Sequence, residues 1–303
     1  MDINKRRIVI WIVLSEAMLI ISTRFGAFLH EFVGHGLMAK IFGGSFDAFS
    51  LTLFAGGEAK FSGDFGEIAS MCICLGGIIV NLITGFTVLA FIQKRRFSFS
   101  LILFGIFLSG ISILSQIQYL VLGAYYQYGD PACLVNYPVV IFLAWTTGLF
   151  LLAYFSWYLM CFFFRFQDAY FPVSNMINRA IITFLILGIP IFMYTGLYHS
   201  SKKSLASVAA IQKARIRIQK EAETIKAKTK SDQSIEDIKK RLSKYPIFPV
   251  ILIIYLLTTL LAFLQTSRAV KKEYFPPVPL SGFYCLSWVI LSGTFLALIA
   301  FLW

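Results

Sequence analysis

Two of the chain's three histidines stand five residues apart with a carboxylate between them, in Leu29-His30-Glu31-Phe32-Val33-Gly34-His35-Gly36. These residue types can hold a zinc ion and activate water for hydrolysis. His30 and His35 would supply two ligands, and Glu31 the base that takes the water's proton. The usual helical form, H-E-x-x-H, spaces its histidines four apart. Here the pattern is H-E-x-x-G-H. On a regular α-helix, residues five apart sit ~140° round the axis, against ~40° for four apart, so the two imidazoles would diverge. A one-residue π-bulge absorbs the extra residue, and Gly34 and Gly36 make that distortion cheap. The spacing therefore predicts a helix locally wound out at Gly34. Without a metal, the same residues would be polar groups at a helix end, bonding across to a neighbouring helix. Leaving Glu31 unpaired in an apolar run would then cost several kcal/mol.

The elements that must position this motif are those of a membrane protein. Of 303 residues, 58% are hydrophobic and only 14% charged, where a soluble domain carries roughly a quarter. Mean hydropathy is +0.77. Continuous apolar runs of about 20 residues indicate membrane-spanning helices rather than the alternating strands of a barrel. The formal net charge of +12 sits in loops, which suits an anionic lipid surface and gives no ground for nucleic-acid binding. Cys72, Cys74, Cys133, Cys161 and Cys285 form no CxxC pair and read as small hydrophobes.

Lys5-Arg6-Arg7 ahead of residues 8–21 has the layout of a signal sequence. We read it as an uncleaved anchor that runs on through Arg24 to a helix end near Phe42. Gly43-Gly44 then stops the helix. Residues 45–54 alternate, with Phe49, Leu51 and Leu53 on one face and Ser50 and Thr52 on the other. With Gly56-Gly57 as the turn and Glu58 to Phe61 returning, this predicts a β-hairpin. Open strand edges cannot face lipid, so the hairpin must lie against protein or line a wet cavity.

Further spans are expected at 68–92, 99–123, 134–164, 179–198 (kinked at Pro190), 246–264 and 284–303. The expected fold is an all-α polytopic membrane protein of about six to seven transmembrane helices, with a short β-hairpin after the motif helix. Four regions follow: a membrane core at 1–135, additional helices at 136–198, a basic amphipathic insert at 199–246 and a C-terminal helix pair at 247–303. The insert carries 13 Lys/Arg against 5 Asp/Glu in residues 199–245, with isoleucines recurring every seven residues. It would lie on the membrane surface and could recruit a protein partner. Placing the basic loops at 5–7, 95–96 and 271–272 in the cytoplasm gives one topology, and placing the insert there argues for a different helix count or the reverse arrangement.

The motif Leu29-His30-Glu31 with Gly34-His35-Gly36-Leu37, then Ile41-Phe42-Gly43-Gly44, a strand, Gly56-Gly57, and a Gly-rich span with Asn81 resembles the site-2-protease-like membrane metallopeptidases, in their smaller B-like branch. The resemblance covers about residues 8–135. It implies a Zn2+ cofactor, a membrane-protein substrate met within the lipid bilayer, and a third metal ligand that is an aspartate on a later segment. Asp130, in Gly-Asp-Pro, is the best-placed candidate; Asp64, Glu67 and Glu58 are weaker ones. Asp130 has a second possible role, capping a helix that starts near Pro131.

Two roles are open to Asn81: orienting substrate backbone in the site, or an interhelical hydrogen bond. Phe49, Leu51 and Leu53 would border a strand edge to which an opened substrate helix adds, or simply pack. Gln116 and Gln118 read as helix-packing polars, and His199 as an interfacial residue. The expected activity is that of an intramembrane zinc metallopeptidase. The alternatives are a catalytically inactive peptidase-like scaffold and a metal or solute transporter. With three histidines in the whole chain, a transport path with several ligand sets is the poorer fit.

Overall fold

The computed structural model of the protein describes residues 3–51, 56–94, 97–126, 129–134, 137–170, 176–194 and 247–268. The expected segments at 199–246 and 284–303, His199 and Leu53 lie outside the described residues. Helix α1 (Ile3–Phe28) passes without a break into a π-helix at Leu29–Leu37 and a last α-turn, α2 (Met38–Ile41). Gly43, at φ +82°, closes this helix as the glycine pair predicts, and Gly44 N–H returns to the Ala39 carbonyl. Strands β1 (Ser45–Leu51) and β2 (Gly57–Ser62) then pair antiparallel.

The remaining described elements are helical. They are α3 (Glu67–Ile92), α4 (Phe99–Gly110), a π-turn at Ile111–Ser115, α5 (Gln116–Tyr126), a 3-10 turn at Asp130–Leu134, α6 (Pro138–Tyr170), α7 (Met176–Thr183), a π-turn at Phe184–Gly188 and α8 (Ile247–Arg268). Among the described residues, six stretches are long and apolar enough to cross a membrane: Arg6–Ile41, Glu67–Ile92, Phe99–Tyr125, Pro138–Tyr170, Ile177–Tyr194 and Pro249–Thr266. The protein is an integral, multi-pass, all-α membrane protein with a two-stranded hairpin after the motif helix.

Two boundaries differ from expectation. The span predicted at 134–164 begins at Pro138 and reaches Tyr170, because residues 130–134 form the 3-10 turn. Asp130 therefore heads a short 3-10 turn and caps no α-helix at Pro131. In the hairpin, the register slips at Asp47: Phe46 pairs with Phe61, and the next residue in register, Ala48, pairs with Lys60. This bulge re-phases the alternation and puts Phe46 on the same side as Phe49, with their rings stacked 6.2 Å apart.

The core is built where α1, α4 and α6 meet. Trp11 is fully buried, and its ring lies edge-on to Phe99, Phe166 and Tyr170 at 4.9–5.4 Å. Nearer the site, the π-helix packs on α3 at glycines. A Cβ on Gly34 would overlap the Gly77 backbone, and one on Gly76 would lie 2.5 Å from the Gly34 carbonyl oxygen. Only glycine lets these two backbones touch.

Candidate metal centre

The π-helix solves the spacing problem of the motif. Its wider turn brings residues five apart onto one side, and the rings of His30 and His35 stand 4.9 Å apart at 79°. The distortion spans nine residues rather than one. His30 and Glu31 are each 8% exposed and His35 is 5% exposed.

Asp130 arrives from 100 residues away. Its Oδ2 lies 2.8 Å from His30 Nε2 and 3.4 Å from His35 Nε2. Ligand atoms of all three residues fall within 4.8 Å of one another, the one such His/Cys/Asp/Glu group among the described residues. Asp64 and Glu67 are exposed and stand outside it, and the Glu67 carboxylate accepts from the Tyr137 hydroxyl. Asp130 follows Gly129, which takes the left-handed φ of +62°. Its backbone N–H donates to the Tyr119 hydroxyl at 2.9 Å. Tyr119 thus fixes the turn that carries the carboxylate, and nothing in the sequence pattern singled it out. Burial pushes the Asp130 carboxyl up, but hydrogen bonds from His30 and His35 outweigh it and hold it below the usual carboxylate range.

The donor set fits zinc. Two imidazole nitrogens and one carboxylate oxygen facing a common point make the three-ligand arrangement that leaves a fourth position open. The outer contacts agree with this. His35 Nδ1 donates to the Ile73 carbonyl at 2.7 Å, which fixes the ring and directs Nε2 to the point it shares with Asp130; on giving up its proton, Nε2 can serve as a metal ligand. Burial first, and the adjacent Cys74 thiol second, push the Cys133 thiol up to about 12.

A cavity of about 670 Å³ opens beside these groups, and His30, Glu31, His35, Asn81 and Asp130 all line it. Asn81 is 1% exposed, and its Oδ1 has no hydrogen-bond partner among the described residues. Gln118 accepts from the Tyr255 hydroxyl of α8 at 3.1 Å, a packing role as expected. Gln116 instead lines the cavity with a buried, unpartnered Oε1. Arg24, Tyr119 and Tyr194 are cavity-lining residues that sequence reasoning did not pick out; Arg24 Nη2 donates to the Tyr194 hydroxyl at 3.1 Å.

The hairpin meets the cavity through β2, by Gly57, Glu58, Ala59 and Phe61. Phe49 and Leu51 are on β1 and do not line it. Phe49 packs instead on Phe28 and Phe32 of the motif helix, at 5.8 and 5.5 Å between ring centres.

A protein-family model described as Peptidase M50B-like matches residues 7–165. The match takes in the motif helix, the hairpin and Asp130. It extends about 30 residues beyond the stretch in which the sequence shows its resemblance, into α6. No curated protein and no solved structure matches the chain.

Proposed function

The chain belongs to the Peptidase M50B-like family, and on that premise we propose that it is an intramembrane zinc metallopeptidase cleaving peptide bonds in or near transmembrane segments of other membrane proteins. The observation that carries this reading is the convergence of His30 Nε2, His35 Nε2 and Asp130 Oδ2 at one point on the wall of a cavity that Glu31 shares.

His30, His35 and Asp130 would hold the metal. Zinc bound there supplies a Lewis acid for the scissile carbonyl and lowers the pKa of the attacking water. Glu31 takes the proton from that water at its carboxylate and passes it to the nitrogen of the departing amine. Its neighbour Gly57 keeps the hairpin close, since a Cβ there would lie 2.6 Å from Glu31 Cγ. Asn81 Oδ1, buried and unpaired on the cavity wall, accepts a backbone N–H of the substrate. A transmembrane substrate must first lose its helix locally, because a helical peptide bond is screened by its own turn. The exposed backbone groups then need partners, and the edge of β2 provides them.

A peptidase-like scaffold without activity is the second reading. The direct His30–Asp130 hydrogen bond favours it, since that bond holds two of the three residues together without a metal.

The deciding experiment measures zinc in the purified protein and cleavage of a transmembrane reporter in liposomes. Wild type should hold zinc and cleave, and His35→Ala should do neither. Wild type without zinc ends the peptidase reading. Zinc without cleavage of any reporter favours the scaffold.

A further inference from the structure

β2 meets the cavity in a way that says how a substrate strand would be read. Residues on one face of a strand alternate, yet Gly57, Glu58 and Ala59 line the cavity as a continuous run. What faces the cavity there is therefore the edge of the strand. The other edge pairs with β1, and among the described residues β2 has no second partner strand.

Within the pair, the half-buried side chains of β2 are those of Gly57, Ala59 and Phe61, while Glu58, Lys60 and Ser62 are exposed. Their cross-strand neighbours on β1 are Leu51, Phe49 and Phe46. Two rows of the inner face thus run large to small, Phe49 to Ala59 and Leu51 to Gly57. In a sheet, side chains directly opposite one another stand about 4.5–5.5 Å apart and share the space above their face. A small residue on the middle strand leaves that space to the strand beyond it.

We infer, resting on the peptidase reading above, that Ala59 forms a size-reading floor. A substrate strand added to β2 is selected for a bulky apolar side chain at the inward position opposite this residue. At Gly57 the corresponding space is already filled by Glu31 Cγ and Leu51 Cδ2, 2.6 and 2.7 Å from where a Cβ would stand. Phe61, which also lines the cavity, flanks the floor with a further apolar surface. Lys60, on the exposed face, takes no part. Gly57 is unsuitable as a probe, since its neighbour is Glu31. Ala59 is the informative position.

The test uses the full-length protein in liposomes and a series of transmembrane reporter peptides. In each peptide one position near the scissile bond is Gly, Ala, Leu, Phe or Trp. Cleavage by wild type and binding to the Glu31→Gln variant are both measured. Wild type should prefer Leu or Phe over Gly by about tenfold at one position. Ala59→Leu should lose that preference and cut the Phe peptide about tenfold less well, with zinc content unchanged. Ala59→Gly, which inserts nothing, should shift the optimum toward Trp. Lys60→Leu should leave the profile as it is.

A side-chain profile that is the same in wild type, Ala59→Leu and Ala59→Gly overturns the inference and leaves the peptidase reading intact. Absence of cleavage, together with binding that still follows residue 59, overturns the peptidase reading and leaves the floor. Binding that ignores both peptide size and residue 59 removes the floor as well.

Discussion

Two charge clusters are buried in the helical bundle, and they are completed in different ways. At the junction of α6, α7 and α8, Arg179 binds Asp168 through two nitrogens at 2.9 and 2.6 Å. The same guanidinium donates to the Phe263 carbonyl and the Thr266 hydroxyl, and it lies within 5.2 Å of the Phe164 and Phe263 ring centres. At the other cluster, His30, His35 and Asp130 converge, and His30 Nδ1, Asn81 Oδ1 and Gln116 Oε1 are buried without hydrogen-bond partners among the described residues. Buried polar groups are normally satisfied. The first cluster ties helices together. The second opens on a cavity, and on the peptidase reading a ligand would complete it.

The sharpest way to break this comparison is at Glu31. Glu31→Gln keeps the shape of the site and removes its base, so cleavage of a transmembrane reporter should fall by at least about a thousandfold. Zinc should stay bound, as read by elemental analysis; loss of both together would make Glu31 a part of the scaffold.

Next in size is the contrast in stability. Arg179→Met should destabilise the protein by about 3 kcal/mol in detergent unfolding. That is the low end for a broken buried pair, because the Asp168 side chain is 34% exposed. Asn81→Leu, which deletes a group with no partner, should be neutral or stabilising while it slows cleavage. Equal destabilisation by the two would erase the distinction between the clusters.

Gly77→Ala tests how closely α3 supports the metal ligands. The added methyl would sit 2.5 Å from His30 Nε2, and zinc affinity should drop about 10–100-fold by competition titration. Gly110→Ala, whose methyl would meet nothing within 4 Å, should bind zinc as wild type does. The smallest effect is expected for Tyr119→Phe. Asp130 N–H loses its acceptor, at about 1 kcal/mol, and zinc affinity should weaken roughly fivefold. No change would mean that Gly129 and the 3-10 turn hold Asp130 unaided.

What could be read from the chain alone follows from the range of the forces involved. Among the described residues the apolar runs, the glycine stop at Gly43 and the hairpin are local, and they lie close to where composition and alternation place them. The π-helix was legible because His30 and His35 have no reason to sit five apart on a regular turn. Asp130 could be named only through a family resemblance, as contacts across 100 residues leave no trace in spacing. The Asp47 bulge was not legible, since an extra residue in an exposed strand looks the same as an ordinary polar position. It is also why Phe46 joins Phe49 in packing on the motif helix. Gln116 and Gln118 are chemically identical and two residues apart; only the three-dimensional packing sends one to the cavity and the other to Tyr255.

The helix that carries the motif runs for 36 residues, Arg6–Ile41. At 1.5 Å per residue it is roughly 50 Å long, while a bilayer's hydrocarbon core is about 30 Å thick. Such a helix tilts or emerges, and how much it does so depends on the thickness of the lipid around it. His30, Glu31 and His35 occupy its far third, with Gly34 fastened to α3. For an intramembrane peptidase, the depth at which a substrate is met would therefore be a property of the protein and the bilayer together. In a thicker membrane this helix stands more upright, and the same three residues address a different level of their target.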